Sequence, residues 1–409
     1  MAGKFAGYLG PLHSGPSTDP GGMMNELTPP LKVLVAHPSA DLYGSDRVLL
    51  ETLNGLVRAG ANVVVTMPSK GPLVTEIQSR GAAVILCPTP VLRKSLLSPK
   101  GLAKIPAAAT HGLLRSIGVM RGVRPDVVLA NTITVPVWTV AGRLCRVPVV
   151  THVHESEASA PGAVRAALAL PLVFSTAVLT NSRFSTETLE RSLRILRGRS
   201  TVLNNGVPGP PTDRPPRASL TGGLRILYVG RLSRRKGVDV AVEALLQLLA
   251  QGIPAQLSIV GAAFPGNEVY EEGLHDKVRA AGVSRNVTFH GFQHDVWPFL
   301  AGSDVVVVPS RLDEPFGNTA VEAILASRPV VVSDTSGLRE AADGYLSAQF
   351  VAPGNPTELA AALISVSKDW PRFRAAATAD AARAASRHSP ERFGALMACH
   401  VAQAAGRPV

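Results

Sequence analysis

Short apolar runs alternate with amphipathic stretches along most of the chain, starting at residue 31. The runs are rich in Val, Ile and Leu, which is typical of parallel strands covered by helices on both faces. We predict strands in LKVLVAHPS, ANVVVTMPS, AAVILCPT, DVVLANT, PVVTHVHE and TAVLTNS, and later in LRILYVG, AQLSIVG, NVTFHGF, DVVVVPS, PVVVSD and AQFVAP.

The intervening stretches predict helices. SDRVLLETLNGLVRAG has helical periodicity, with Ser45 as the expected N-cap and Gly60 just past the end. We expect residues 166–180, an apolar run too short to cross a bilayer, to form a buried helix followed by a strand. Further helices are predicted over 238–250, 268–281 and 390–404.

A segment dense in proline and glycine, VLNNGVPGPPTDRPPRASLTGG, separates two series of alternating elements and reads as a linker. We therefore predict an α/β protein of two doubly wound, Rossmann-like domains, 31–206 and 207–385, facing each other across a cleft. Residues 386–409 are expected to form a helix that packs back on the N-terminal domain. Residues 1–30, rich in Gly, Pro and Ser, are expected to be a disordered tail.

Composition limits the classes of partner. The 409 residues are 46% hydrophobic and 17% charged, a globular profile with enough apolar residues for more than one core. A net charge of +11 favours anionic partners, but the 5% of aromatic residues do not interleave with basic stretches, which disfavours nucleic acid. Three widely spaced cysteines indicate neither a disulfide framework nor a zinc site, so we expect a reducing, cytoplasmic compartment.

The loops at the carboxyl ends of parallel strands are where ligands bind. In YVGRLSRRKGVDVAVEAL, Gly230 turns the chain after a strand, and Arg231 and Lys236 flank a short loop before a helix. Two cations at a strand end suit a diphosphate. We interpret Arg234 and Arg235 as a solvated basic loop.

Two carboxylates follow the strand DVVVVPS. Glu314 lies in a loop, and Glu322 lies in the helix after it, among apolar residues. Gly317 lets the backbone approach a ligand, and Asn318 is expected to cap the helix, whose free N–H groups stabilise anions. We expect Glu322 about two turns into the helix, so that the two acids hold two ends of an extended ligand, such as a sugar and a ribose. The alternative is that Glu322 is a surface charge on an amphipathic helix.

These stretches, GRLSRRKG and DEPFGNTAVEA, resemble the retaining glycosyltransferases of family 4, which have the GT-B architecture. Their signature is a pair of glutamates separated by seven residues, matched by Glu314 and Glu322. The resemblance implies that Arg231 and Lys236 bind a donor diphosphate, that Glu314 binds the donor sugar and that Glu322 binds the ribose. The implied donor site comprises Gly44, Gly230, Arg231, Lys236, His290, Phe292, Glu314, Phe316, Gly317, Asn318 and Glu322, and the implied catalytic residues are Glu314, His154, Lys236 and Arg231.

In the N-terminal half, PVVTHVHE ends a strand with two histidines, which we expect to point to opposite faces. His154 matches the histidine of the family that contacts the donor sugar, and His152 is interpreted as structural. Gly44 matches a loop that approaches the donor phosphate, although the usual pair of adjacent glycines is absent. The turn AAFPGNEVYEEG is longer than the family's glycine-rich turn, and Ser327 stands where the family often has glycine.

The predicted function is transfer of a sugar, with retained anomeric configuration, from a nucleoside-diphosphate sugar to a saccharide or lipid-linked saccharide in cell-envelope glycan or glycoconjugate synthesis. The resemblance implies that no metal or other cofactor is needed. A sugar-nucleotide epimerase, a phosphorylase, or a non-catalytic membrane- or partner-binding protein on the same scaffold are the alternatives. A dinucleotide-dependent oxidoreductase is disfavoured, because no Gly-x-Gly-x-x-Gly follows the first strand.

A membrane contact is expected from residues 80–124. No acidic residue occurs between Glu76 and Asp126, while basic residues are mixed with apolar ones. Such a stretch binds the anionic inner face of a membrane, and the alternative is ordinary helices with solvated basic faces. The basic residues are Arg80, Arg93, Lys94, Lys100, Lys104, Arg115, Arg121 and Arg124.

Overall fold

The computed structural model describes residues 29–41, 44–92, 99–155, 158, 160–264 and 266–407, without the side chains of 45 and 99–105. Leu31–Val409 forms one compact unit. Except for its last two residues, the segment predicted to be a disordered tail lies outside the described residues.

The first sheet contains seven of the described strands, all parallel. They are β1 (Lys32–Ala36), β2 (Asn62–Met67), β3 (Ala83–Leu86), β4 (Val127–Ala130), β5 (Val149–Val153), β6 (Ala177–Thr180) and β7 (Ser200–Val202), in the order β3-β2-β1-β4-β5-β6-β7. The accompanying helices are α1 (Gly44–Arg58), α2 (Leu73–Ser79), α3 (Pro99–Val123), α4 (Pro136–Cys145), α5 (Gly162–Ala169) and α6 (Arg183–Ser192). Strands β4 and β5 are buried throughout, as expected for a sheet covered on both faces.

The second sheet contains six described strands, also parallel. They are β8 (Leu224–Val229), β9 (Ala255–Val260), β10 (Val287–Phe289), β11 (Val305–Val308), β12 (Val330–Ser333) and β13 (Ala348–Val351), in the order β10-β9-β8-β11-β12-β13. The accompanying helices are α7 (Val238–Ala250), α8 (Glu268–Ala280), α9 (Trp297–Gly302), α10 (Asn318–Leu325), α11 (Ser336–Ala342), α12 (Pro356–Lys368) and α13 (Trp370–Arg387). The last helix, α14 (Pro390–Ala404), follows them in sequence and packs on the first sheet. The strand order reverses between β8 and β11, and ligands bind at such a switch point.

Two local predictions were wrong, and one strand was missed. Residues 166–180 do not begin with a buried helix, because α5 is largely accessible and continues into a 3₁₀ turn, Leu170–Phe174. Helix α1 begins at Gly44, so Ser45 lies inside its first turn and is not its N-cap. Strand β7 was not predicted, since it is a three-residue edge strand with two polar residues.

The chain returns to the first sheet after completing the second. Helix α14 crosses α1 where two glycines meet, and a Cβ atom at Gly55 would lie 2.3 Å from the Cα of Gly394. Phe393, Met397 and Val401 of α14 are buried in the core of the first sheet. The two lobes are therefore joined by the linker and again by the segment before α14.

The linker is anchored to the second lobe. Arg217 donates hydrogen bonds to the two carboxylate oxygens of Asp304, at 2.8 and 2.5 Å, and Asp304 is fully buried. The Trp370 indole N–H donates to the Arg217 carbonyl at 3.0 Å. A charged fork on a buried acid is a strong and directional attachment, so this stretch has a fixed path.

Candidate active site

Two loops at the carboxyl edge of the second sheet bring Lys236 and Glu314 into contact. One loop follows β8 and the other follows β11, so both leave the switch point. Lys236 Nζ lies 2.9 Å from both carboxylate oxygens of Glu314. Ser310 Oγ donates to Glu314 Oε1 at 2.9 Å, and Arg311 N donates to the Arg235 carbonyl at 2.8 Å. Side-chain and backbone contacts thus fix the two loops together.

Arg235 also belongs to this cluster, so its interpretation as a solvated residue was wrong. Its Nη1 lies 3.5 Å from Glu314 Oε1 and donates to the Asp313 carbonyl at 3.1 Å. The reason is a 3₁₀ turn, Arg234–Lys236, which directs both Arg235 and Lys236 toward the acid. Arg234 is exposed, as predicted.

The charges of this cluster determine the ionisation of Glu314, which is only 5% exposed. Burial alone would raise the pKa of Glu314, but the charges of Lys236 and Arg235 and the hydrogen bonds from Lys236 and Ser310 lower it below its usual value. Burial lowers the pKa of Lys236, and the attraction of Glu314 opposes that effect. Glu314 is therefore an ionised acceptor of fixed orientation at neutral pH.

Glu322 lies one turn into α10, not two, because the helix begins at Asn318. Its side chain is 14% exposed, so the surface alternative is wrong. Burial raises the pKa of Glu322, and Arg47, whose Nη1 lies 3.9 Å from the carboxylate, opposes this rise.

The entry to α10 differs from the prediction. Gly317 precedes the helix and no side chain caps it, so the expected capping by Asn318 was wrong. The Asn318 side-chain oxygen instead accepts a hydrogen bond from Asn205 at 2.9 Å. Gly317 has φ 132°, and a Cβ atom there would lie 2.7 Å from Leu338, so only glycine fits this turn.

The first turn of α1 contributes from the opposite lobe. Arg47 Nη2 donates to the His294 carbonyl at 2.5 Å, in addition to its approach to Glu322. A Cβ atom at Gly44 would lie 4.0 Å from the Asn318 side chain. Arg47 was not predicted as a site residue, although a cation in the first turn of a helix opposes the helix dipole and so indicates another role.

His152 and His154 lie on the same face of the strand end, so the predicted opposite orientation was wrong. Residues two apart in a strand share a face, and the two rings are 4.0 Å apart between centroids. His154 Nε2 lies 3.1 Å from Asn131 Oδ1 and donates to it. Asn131 Nδ2 in turn donates to His37 Nδ1 at 3.2 Å, and His37 Nε2 donates to Asp46 at 2.9 Å. This chain of hydrogen bonds keeps the imidazoles of His154 and His37 in single tautomers.

Arg231, His290 and Phe292 lie in loops that follow β8 and β10, the two strands that flank β9 in the second sheet. The Arg231 guanidinium lies 5.4 Å from the ring centroid of Phe264, which belongs to the longer turn after β9. The charge of Arg231 contributes to the lowered pKa of Lys236. His290 packs edge-on against Phe299 at 4.8 Å, and Phe292 is 46% exposed beside β10. Of the predicted donor-site residues, Lys236 contacts Glu314 directly, and Gly44 approaches Asn318 from the first lobe.

Buried histidines make the fold sensitive to acid. Burial lowers the pKa of His154 to about 3, with the charge of His37 adding and Asp46 opposing. It lowers the pKa of His388, whose ring lies 5.7 Å from Phe316, to about 4. An unfolded histidine titrates near ~6.5, so the unfolded chain binds protons first as pH falls. From these two residues the free energy of unfolding should decrease by about 2.7 kcal/mol per pH unit between roughly pH 6 and 4.

Urea unfolding at pH 6, 5 and 4 measures this slope. H388Q should reduce the slope by about 1.4 kcal/mol per pH unit, which is the contribution of one histidine. His111 is exposed on α3, and H111Q is the matched control, with an unchanged slope. An H388Q slope equal to that of the unmodified protein would contradict the assignment.

Comparison with known proteins places this site in a family. The family model for a glycosyl transferase 4-like domain matches residues 43–206, and the model for glycosyl transferases group 1 matches residues 211–384. Glycogen synthase of Mycobacterium tuberculosis is 30% identical over 367 residues, which are 83% of this chain and 86% of that protein. The chain belongs to the group 1 glycosyltransferases.

Solved structures confirm the predicted GT-B fold of this glycosyltransferase. HepE of Anabaena, in complex with UDP and glucose, matches with a TM-score of 0.76 at 21% identity, over 91% of this chain and 99% of that chain. A glycosyltransferase from Rickettsia africae matches with a TM-score of 0.74 at 16% identity, over 93% and 100%. D-inositol 3-phosphate glycosyltransferase of Corynebacterium jeikeium is 35% identical over 142 residues, which are 33% of each chain.

Proposed function

We propose that this glycosyltransferase moves a sugar from a nucleoside-diphosphate sugar to a saccharide or lipid-linked saccharide, with retained anomeric configuration. The observation that carries the proposal is the contact of Lys236 with the buried Glu314 at the switch point, with Glu322 on the adjoining helix. The complexes of HepE with UDP and with UDP-glucose support a donor of this class. Cell-envelope glycan or glycoconjugate synthesis is the role that we propose for the product.

The proposed mechanism assigns one task to each charged residue. Breaking the glycosidic bond adds negative charge to the leaving diphosphate, and Lys236 and Arg231 stabilise that charge most strongly in the transition state. Glu314, ionised and fixed, accepts hydrogen bonds from the sugar hydroxyls, and Glu322 binds the ribose hydroxyls. The leaving phosphate assists deprotonation of the acceptor on the same face of the sugar. Because two protein cations supply the positive charge, we propose that transfer needs neither a metal ion nor another cofactor.

Donor binding tests the proposal first. A ligand that binds only the folded protein raises the melting temperature by mass action. UDP, GDP, ADP and dTDP sugars should be screened in this way, and at least one should raise the melting temperature. Transfer to a saccharide acceptor should then continue in EDTA, and NMR should show a retained anomeric configuration.

The same measurements separate the alternatives. Conversion of the donor without an acceptor would indicate an epimerase. Release of a sugar phosphate would indicate a phosphorylase. The absence of binding to every nucleotide sugar would favour a non-catalytic protein.

We propose that the acceptor is reached at an anionic membrane surface. None of the described helices combines the length and apolar character needed to cross a bilayer. Helix α3 packs on α4, and α4 packs on the 3₁₀ turn after α5. These neighbours expose Leu114 (64%), Leu144 (61%), Leu170 (55%) and Phe174 (44%), and Arg115, Arg121 and Arg143 are also exposed. Apolar side chains among cations suit adsorption to anionic lipid on the cytoplasmic side.

Of the cations in the predicted membrane segment, Arg93 and Lys94 lie outside the described residues, as do the side chains of Lys100 and Lys104.

Vesicle sedimentation with phosphatidylglycerol at low and high salt tests the surface. Binding should weaken with salt and should fall in the L114E variant. Leu346 is 76% exposed on the other lobe, so L346E is the matched control and should bind like the unmodified protein. The absence of any binding at low salt would remove this part of the proposal.

A further inference from the structure

Ser182 links the first lobe to the loop that carries Glu314. Its Oγ donates a hydrogen bond to the Pro315 carbonyl at 2.5 Å, across the cleft. Ser182 follows β6 and is fully buried. The same oxygen accepts from the Ser185 backbone N–H at 3.0 Å, so Ser182 is also the N-cap of α6.

The Glu314 loop is held tightly on its other side. Gly337, in the first turn of α11, is so close that a Cβ atom there would lie 2.1 Å from the Glu314 carbonyl. Helix α11 itself is attached to the first lobe, since Glu340 accepts from the Arg183 backbone N–H at 2.8 Å and from Asn204 at 3.0 Å. The loop therefore lies between α11 and the N-terminus of α6.

Proline at 315 makes its carbonyl a sensitive point of attachment. Its ring fixes φ and removes the backbone donor, so this residue is held mainly through its carbonyl oxygen. Glu314 is the preceding residue, so a rotation of the Pro315 peptide would displace the Glu314 carboxylate. A displacement of about 1 Å in a reacting site can reduce the rate ~100-fold.

We propose that Ser182 is a positioning residue, whose hydroxyl fixes the Glu314 loop across the cleft and so couples the approach of the lobes to the geometry of the sugar site. The inference rests on the proposed function of Glu314. Capping of α6 is a separate role of the same oxygen, because the cap uses the oxygen as an acceptor and the cleft bond uses its proton. The other acceptor within reach of that proton, Ser185 Oγ, is farther away, at 3.0 Å. Substitutions can therefore separate the two roles.

Three variants and one control make the test. S182A loses both the cap and the cleft bond. S182D and S182G lose the cleft bond, whereas aspartate caps well and glycine costs only a few tenths of a kcal/mol at an N-cap. Asn355 caps α12 by accepting from the N–H groups of Thr357 and Glu358, so N355A is a matched loss of a helix cap without loss of a cleft bond.

The expected result is a kcat about 10- to 100-fold lower in all three Ser182 variants, with the Kd for UDP within about twofold of the unmodified protein. N355A should lower the melting temperature and keep kcat. Restored kcat in S182G or S182D would show that Ser182 acts only as a cap and would overturn the proposal. If S182D does not fold because its new carboxylate is buried, S182G alone provides the comparison.

A second measurement does not depend on activity. Backbone amide exchange over residues 311–318 should be faster in S182A and S182G than in the unmodified protein and N355A. Unchanged exchange in that segment would also overturn the proposal. If the unmodified protein transfers no sugar although the exchange effect is present, the proposed function fails while the cleft bond stands.

Discussion

Replacing Lys236 by alanine should lower turnover at least about 100-fold while leaving the protein folded, because a fixed cation that meets developing charge contributes on that scale. Lys236 is 23% exposed and lies 2.9 Å from Glu314. Its removal also leaves the buried Glu314 carboxylate with Arg235 and the Ser310 hydroxyl as its partners. Since burial raises the pKa of this acid and Lys236 is the largest opposing influence, the acid limb of the pH–rate profile should move to higher pH.

Steady-state rates with the donor found by thermal shift measure this loss. Arg234 is the matched control, because it is a cation of the same loop that is exposed to solvent. R234A should keep kcat within about twofold, as expected for a surface substitution away from the chemistry. A folded K236A protein with normal turnover would refute the role of Lys236 in stabilising the leaving diphosphate.

Most strands of the two sheets were predictable because their sequences are apolar runs rich in branched residues, and β4, β11 and β12 are buried throughout. The segment DVVVVPS predicts a central strand, and it forms β11. Strand β7 was not predicted because its sequence, Ser-Thr-Val, is not an apolar run. Helix α5 was placed inside the core because its composition is apolar, yet apolar composition without a buried face does not fix burial.

The site was predictable where one short segment carries the chemistry. Glu314 and Lys236 stand at strand ends, and parallel topology brings neighbouring strand ends together. Arg47, Ser182 and Asn131 were missed because their contacts cross between elements distant in sequence, and no local pattern encodes those distances. Ser182 reads locally as an N-cap, which it is, and only the approach of the two lobes shows its second contact. The two-residue period of a strand places His152 and His154 on the same face, so their orientation could have been predicted, but it was assigned incorrectly.

Arg328 should be among the most costly positions to truncate for stability. Its side chain is 1% exposed and donates to five carbonyl oxygens, and burial lowers its pKa. These oxygens belong to Leu300, Ala301, Ala326, Ser327 and Arg214, at 2.8 to 3.3 Å. They lie at the C-terminal ends of α9 and α10, where a cation is favoured, and on the linker. R328A would leave several of these acceptors buried without a donor, so we expect a loss of about 3–5 kcal/mol in the free energy of unfolding.

Urea unfolding at constant pH measures the loss. R328K keeps the charge but has three donors on a single nitrogen instead of a planar fork, so its stability should lie between those of R328A and the unmodified protein. Arg285 is exposed, and R285A should change the free energy of unfolding by less than about 0.5 kcal/mol. If R328A and R285A proved equally stable, the five carbonyls would have to be satisfied without the guanidinium. The contact between α9, α10 and the linker would then be stabilised by apolar packing alone.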